Sequence, residues 1–192
     1  FLFVSMFLFY ILAADQIWLE DFNSYQLNTG VDGSGDLGDY PANVNKWEIN
    51  SASAELSNGS DYFKVQADSA NKFLEARDTD GEILWISEDI PIESYNEVRF
   101  SIEIAESGDL EESDYVDIYY SSDTGASYTR IDSWQSTYGN QSHTIVGDKP
   151  GEEDWQNLTV NCEGITGPSL KLKVALTNNA GTELIRIDNI RV

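Results

Sequence analysis

The sequence contains one cysteine and one histidine among its 192 residues. The single cysteine, Cys162, cannot form an internal disulfide, and the single histidine, His143, excludes metal centres built from several histidines. The chain also lacks a Gly-x-Ser-x-Gly elbow, a glycine-rich phosphate loop followed by lysine, and a dinucleotide-binding fingerprint. These absences make an enzyme the minority interpretation.

Basic residues are also few. The 11 lysines and arginines are outnumbered by 34 aspartates and glutamates, which gives a net charge of −23 and a pI of about 4.1. Such a field repels phosphates, so we expect neither nucleic acid nor anionic lipid as a partner. It favours hard divalent cations such as Ca²⁺, although an acidic surface also serves solubility alone.

The apolar run at residues 1–14 is shorter than the roughly 20 residues that a membrane-spanning helix needs. It ends in Ala13 and Ala14, which is typical of a secretory signal, and the alternative is a buried first strand. We therefore predict a truncated signal peptide over residues 1–14 and a single β-sandwich module over residues 15–192. The protein is expected to be secreted or at the cell surface, without membrane insertion. Export without disulfides is typical of a bacterium.

Apolar and polar residues alternate with a period of two in several segments, which indicates half-buried strands. Residues 98–104, 115–120 and 170–176 show this best, with Asp117 expected to face outward. No window has a sustained helical period, and residues 67–76 would make one helical turn at most. Long loops are expected at 29–45 and 133–154. Strands are predicted at 17–22, 46–50, 61–66, 72–76, 82–90, 98–104, 115–120, 127–132, 156–161, 170–176 and 183–192.

Four segments stand in an order that resembles a known family: residues 19–23 (LEDFN), 78–87 (DTDGEILWIS), 113–125 (SDYVDIYYSSDTG) and 167–192, ending in RIDNIRV. This order is similar to the MAM-like jelly-roll modules of bacterial surface proteins, including the cleaved-adhesin domains of gingipains and related Bacteroidetes modules. The resemblance implies an all-β jelly-roll sandwich of two antiparallel sheets, stabilised by Ca²⁺. It also implies adhesion, or carbohydrate or protein binding, as one module of a larger polypeptide.

The last strand changes parity, because Ile185 and Ile187 share one face while Ile190 falls on the other. This change predicts a bulge near Asp188 and Asn189. The resemblance implies that the first and last strands are neighbours and share an ion.

We therefore predict a Ca²⁺ site at Glu20, Asp188 and Asn189; the alternative is that Asp188 caps a turn and Glu20 is merely exposed. A second candidate is formed by Asp78, Asp80 and Glu82, where a plain turn is an equal alternative.

Aromatic residues in loops are candidates for ligand binding. Trp134, Tyr138 and Trp155 flank the 133–154 loop and would form a stacking platform for a sugar, or alternatively a lid over the sandwich. The partner would then be a glycan or a surface protein. Two other functions stay open, a structural spacer without ligand and a carbohydrate-active enzyme with two convergent carboxylates. Three further tryptophans are expected in the core: Trp18, Trp47 and Trp85.

One short segment, Ser121 to Tyr128, matches the Ser-x-Asp-x-Gly-x-x-aromatic pattern found once per blade in sialidase propellers. It occurs once here. We therefore interpret it as a hairpin turn in which an aspartate caps backbone amides and glycine takes the positive-φ position.

Overall fold

The computed structural model describes residues 15–34, 46–69, 71–108, 110, 113–131 and 156–192. Within these residues the chain forms strands but no helix, so no described helix is available to cross a membrane. The predicted signal at residues 1–14 lies outside the described residues. The strands are β1 (Leu19–Glu20), β2 (Gly30–Asp32), β3 (Trp47–Asn50), β4 (Tyr62–Asp68), β5 (Asn71–Arg77), β6 (Ile83–Ser87), β7 (Ile90–Pro91), β8 (Val98–Ser107), β9 (Tyr115–Ser121), β10 (Thr129–Arg130), β11 (Gln156–Ile165), β12 (Ser169–Thr177) and β13 (Leu184–Arg191).

The described strands form two antiparallel sheets. The seven-stranded sheet has the order β11-β8-β13-β5-β4-β2, with β1 also paired to β13. The six-stranded sheet has the order β10-β9-β12-β6-β3, with β7 also paired to β12. From β5 onward the chain passes repeatedly between the two sheets. The fold is the all-β jelly-roll sandwich that the sequence predicted.

The alternation of the sequence explains which side of each sheet is buried. On β8, Phe100, Ile102 and Ile104 are at most 2% exposed, whereas Arg99 and Glu103, on the opposite face, are exposed to water. The apolar residues of β12 occupy the opposite wall of the core, and Trp85 of β6 is fully buried between the sheets. The prediction of core positions for Trp18, Trp47 and Trp85 is confirmed.

Three local predictions need correction. Residues 67–76 form no helical turn, because β4 and β5 make a hairpin in which Asp68 pairs with Asn71. The expected strand 82–90 is divided into β6 and β7, which both pair with β12. The expected loop 29–45 begins with strand β2, whose Gly30 lies against the β4 backbone at a φ of 147°, where a Cβ would collide with a carbonyl oxygen of that strand.

The first and last strands are neighbours, as predicted. Strand β1 pairs with β13, with Glu20 opposite Ile190. The predicted bulge is also present, since the register of β13 against β8 shifts between Asp188 and Arg191. Asn189 supplies the extra residue and has a φ of 47°, a conformation that asparagine tolerates better than most residues.

Candidate functional site

The outer side of the six-stranded sheet carries a cluster of tyrosines. On β9, Val116 and Ile118 point into the core, so the residues between and before them point outward. Arg130 of β10 pairs with Tyr119, and Lys173 of β12 pairs with it from the other side. Directly opposed residues of antiparallel strands share one face. We call this surface the tyrosine face and define it by Tyr115, Asp117, Tyr119, Tyr128, Arg130 and Lys173.

A carboxylate lies at the base of the tyrosine face. Asp117 points away from the core, as predicted, but it is only 3% exposed because its neighbours cover it. The Tyr119 hydroxyl donates a 3.1 Å hydrogen bond to Asp117 Oδ2, and Arg130 Nη1 lies 3.7 Å from the same oxygen. The carboxylate thereby orients one ring and one guanidinium group at the surface of the sheet.

Two of the tyrosine hydroxyls are held by carboxylates. Burial, followed by the nearby charge of Asp117, raises the pKa of Tyr119 to about 12. Burial also raises the pKa of Tyr115 well above its usual range, and its hydroxyl donates a 2.8 Å hydrogen bond to Glu82 Oε2. Both phenols are therefore protonated at neutral pH, and their hydrogen bonds to Glu82 and Asp117 orient the rings.

The third ring is positioned by the turn between β9 and β10. Asp123 Oδ1 accepts hydrogen bonds from the Ser121 hydroxyl at 2.6 Å and from the Ser127 amide at 2.9 Å. Gly125 takes a φ of 84° and donates its amide to Ser121 Oγ. These hydrogen bonds lower the pKa of Asp123 to about 2. The prediction of an aspartate-capped turn is confirmed, and its function here is to place Tyr128 beside the sheet.

The side chain of Lys173 lies between two of the rings. Its Nζ is 4.2 Å from the ring centroid of Tyr119 and 4.3 Å from that of Tyr128. A cation this close to two aromatic faces is attracted to both. The tyrosine face thus presents aromatic rings, a carboxylate and two cationic groups within one patch.

A groove lies on the other sheet. It measures about 810 Å³ and is bounded by residues 15–17, the start of β8, the end of β11 and the last two residues. Tyr95, which is 43% exposed, lines it. Arg99 and Glu163 form a 3.7 Å ion pair there, with each side chain about two-thirds exposed. This groove provides a comparison surface for binding experiments.

Comparison with known proteins finds similarity at the level of structure only. No family model and no curated protein matches the sequence. The fold is similar to the K1 cleaved adhesin domain of Lys-gingipain from Porphyromonas gingivalis W83, at 12% identity and a TM-score of 0.47, covering 91% of this chain and 95% of that one. It is also similar to TmCBM61, solved in complex with beta-1,4-galactotriose, at 12% identity and a TM-score of 0.45, covering 84% of this chain and 97% of that one.

A third similar structure is the CBM22-1 xylan-binding domain of Paenibacillus barcinonensis Xyn10C, at 13% identity and a TM-score of 0.43, covering 93% of this chain and 94% of that one. The cleaved-adhesin resemblance noted in the sequence is thus found again among solved structures. Since the identities and TM-scores are low, the function of this chain has to be argued from its own residues.

Glu20, the first member of the predicted calcium site, faces the inside of the sandwich. It lies opposite Ile190, a core residue, and is 2% exposed. Its carboxylate accepts hydrogen bonds from the Phe22 amide and the Tyr25 hydroxyl, both at 2.8 Å. Burial raises its pKa, and those hydrogen bonds oppose the rise. Glu20 therefore organises the chain that follows β1.

Asp188, the second member, faces the opposite side of the same sheet, where it lies beside Glu103 of β8. It accepts hydrogen bonds from Asn71 Nδ2 at 2.9 Å and from the Asn189 amide at 2.7 Å. Burial, together with the charges of Glu103 and Asp21, raises its pKa to about 6. The structure therefore brings Asp188 together with Glu103 and Asp21, and not with Glu20. Because of the one-residue bulge at Asn189, Ile190 faces the core although Asp188 faces outward.

The ammonium group of Lys72 binds two backbone carbonyl oxygens near Glu20. Lys72 Nζ donates to the carbonyl oxygens of Asn23 at 3.2 Å and Tyr25 at 2.5 Å, and its own amide donates to Asn23 Oδ1. Among the described residues, no group of three or more His, Cys, Asp or Glu side chains could hold a metal ion. Glu20 and Asp188 face opposite sides of the sheet, and an ion shared between them stays a prediction. Calcium binding as such stays a prediction, which a melt in EDTA tests.

The residues of the second predicted metal site, Asp78, Asp80 and Glu82, have different partners. The charges of Asp61 and Asp80 act on Asp78, whose pKa is raised chiefly by burial. Glu82 instead accepts the hydrogen bond from Tyr115 on the tyrosine face. Asp78 and Asp80 have φ angles of 51° and 46°, which are typical of tight turns. The geometry favours the plain-turn alternative at these two residues.

The predicted ligand platform of Trp134, Tyr138 and Trp155 lies outside the described residues, as does His143. Sequence reasoning did not select the tyrosine face, although part of its signal was present. The alternation Tyr115, Asp117, Tyr119 already placed these side chains on the face away from Val116 and Ile118. The alternation could not show that β12 lies beside β9, because Lys173 is more than 50 residues from Tyr119 in sequence.

Proposed function

We propose that the chain is a non-catalytic binding module that holds a glycan against the tyrosine face. The observation that carries this proposal is the arrangement of oriented tyrosine rings around hydrogen-bonding groups on one exposed side of a sheet. A sugar ring offers C–H groups that pack on an aromatic face and hydroxyls that exchange hydrogen bonds with polar neighbours. Arg130 and Lys173 supply such neighbours.

The burial of the carboxylates supports binding over hydrolysis. A glycosidase needs two carboxyl groups that flank the scissile bond and reach it. On the tyrosine face, Asp117 is 3% exposed and bonded to Tyr119, and Glu82 is bonded to Tyr115. Both carboxylates orient tyrosines, and the phenol hydroxyls and cationic groups form the accessible layer.

The proposal includes an extracellular setting. Residues 1–14 would direct secretion, and the module would act in adhesion on a secreted or surface polypeptide with further modules. The net charge of −23 supports this, since it disfavours nucleic acid and membrane surfaces as partners. Stacking of sugars on tyrosine depends little on that charge, because contact through C–H groups and rings is short-ranged.

Titration calorimetry and affinity electrophoresis against a panel of oligosaccharides and polysaccharides test the proposal. We expect Tyr119→Ala to lower the affinity by about tenfold or more, since a stacked aromatic ring is removed. Tyr95→Ala, in the groove on the other sheet, is the matched control and is expected to bind normally. Loss of binding in Tyr95→Ala alone would move the site to the groove. Absence of any glycan binding would favour the structural spacer.

A further inference from the structure

The partners of Lys173 differ from those of the other ring-contacting cations. Lys64 lies 4.6 Å from the Tyr62 ring centroid and also pairs with Asp32 at 3.2 Å. Lys46 lies over Trp18 and donates to a backbone carbonyl. Arg186 lies over Phe73 and pairs with Glu75. Each of these cations has a second, oxygen partner.

Within the described part of the chain, the Lys173 ammonium group has only these two rings as partners. Among the described residues, its ammonium group has neither a carboxylate within ion-pair distance nor a hydrogen bond. This is notable in a chain with 34 acidic residues and 11 basic ones, where carboxylates are abundant. An ammonium group has three N–H donors, and two aromatic ring faces stabilise its charge without accepting a conventional hydrogen bond. The group is therefore poised to accept an anionic oxygen from outside.

Two further cationic side chains, those of Arg130 and Lys171, lie on the same surface as Lys173. Arg130 is 38% exposed and lies 3.7 Å from Asp117, and Lys171 lies 4.0 Å from Asp89. The contact of Lys171 is long enough to contribute little and to exchange for a better partner. Salt screens the distant carboxylates over about 8 Å at physiological ionic strength, whereas Asp89, Glu48 and Asp123 still act on Tyr128, so an anionic ligand is favoured only in direct contact with Lys173.

We propose that the tyrosine face selects glycans that carry an anionic group, namely hexuronic-acid sugars, and that Lys173 receives their carboxylate. This inference rests on the proposed function and specifies its ligand class. The sugar ring would pack beside Tyr119 and Tyr128, which hold the Lys173 side chain extended between them. Arg130, on the neighbouring strand, would donate to the same or the next residue of the glycan.

The test uses oligomers of glucuronic, galacturonic and mannuronic acid, each as the free acid and as its methyl ester, which removes the charge but keeps the shape. Neutral and sulfated oligosaccharides form the remaining arms. We expect the free acid to bind at least about tenfold more tightly than its ester, with an affinity that falls as salt rises. Tighter binding of sulfated sugars than of any uronate would assign the site to sulfate and overturn the carboxylate assignment.

Variants of Lys173 identify the residue responsible. Lys173→Met should lose about tenfold of the affinity for the free acid and leave the ester unchanged, and Lys173→Arg should keep most of the affinity. Lys64→Met, which also removes a ring-contacting lysine, is the control and should bind as the wild type. Equal binding of acid and ester, or an unchanged Lys173→Met, would overturn the inference. If Tyr119→Ala abolished binding in that case, the proposed glycan-binding function would stand without the preference for uronic acids.

Discussion

The hydroxyl of Tyr119 donates a hydrogen bond to the carboxylate of Asp117, two residues earlier on the same strand. Residues i and i+2 of a strand lie on the same face, so this bond ties two neighbouring side chains of the sheet together. It fixes the ring that Lys173 contacts and covers a carboxylate that would otherwise be exposed to solvent. Orientation of the ring before a ligand arrives reduces the entropy lost on binding.

Tyr119→Phe separates the role of the hydroxyl from that of the ring. We expect this variant to retain most of its glycan affinity, because the ring remains, while the free energy of unfolding falls by about 1 kcal/mol through the lost hydrogen bond. Urea unfolding and titration calorimetry measure the two quantities. A loss of affinity as large as that of Tyr119→Ala would show that the hydroxyl, rather than the ring, carries the binding.

Thermal melts test both the calcium prediction and the contacts of Lys72, whose ammonium group bonds the carbonyls of Asn23 and Tyr25. If Ca²⁺ stabilises the fold as predicted, EDTA should lower the melting temperature of the wild type and added Ca²⁺ should restore it. Lys72→Met should lower the stability by about 1–2 kcal/mol, since two charge-assisted hydrogen bonds are lost. Differential scanning calorimetry with EDTA and with added Ca²⁺ measures both. A melting temperature that EDTA leaves unchanged would reject the calcium site.

Asp188 predicts a pH dependence of stability. Its pKa is raised to about 6 in the folded protein, above the value of about 3.9 in an unfolded chain. Between these values the folded state binds more protons, so its contribution to the free energy of unfolding decreases as the pH rises from about 4 to about 6. Asp188→Asn should flatten this slope and raise the stability at pH 7 by about 1 kcal/mol.

Urea unfolding at a series of pH values measures the Asp188 effect. Glu103→Gln serves as the comparison, since it removes the like charge beside Asp188 and keeps an acceptor oxygen for Asn189 Nδ2, so it should give a smaller change in the same direction. A variant Asp188→Asn that is less stable at pH 7 than the wild type would contradict the prediction. It would indicate that the ionised carboxylate stabilises the bulge through Asn71 and the Asn189 amide.

The turn at Asp123 links local sequence to the binding surface. Asp123→Ala removes the acceptor that holds Ser121 and Ser127, so Tyr128 should lose its fixed position and the glycan affinity should fall. Asp68→Ala is the control, because it removes the same charge from the other sheet, where Asp68 pairs with Arg186 at 3.2 Å. Equal affinities in the two variants would show that the turn does not position the ligand-contacting ring.

Local pattern accounts for much of the fold. The alternation along β8, β9 and β12 identified the core residues and the outward position of Asp117, since a strand places successive side chains on opposite faces. The change of parity in the last strand identified the bulge at Asn189 for the same reason. The Asp123 turn is likewise local, because its donors and acceptor lie within seven residues of sequence.

Pairing between distant strands decided the rest. The pairing of β1 with β13 turned Glu20 inward and left Asp188 outward, which no pattern within either segment reveals. The same holds for the site, where β12 brings Lys173 between Tyr119 and Tyr128. A strand's own sequence determines which side chains share a face, but only the register against its neighbours determines which charges and rings meet across that face.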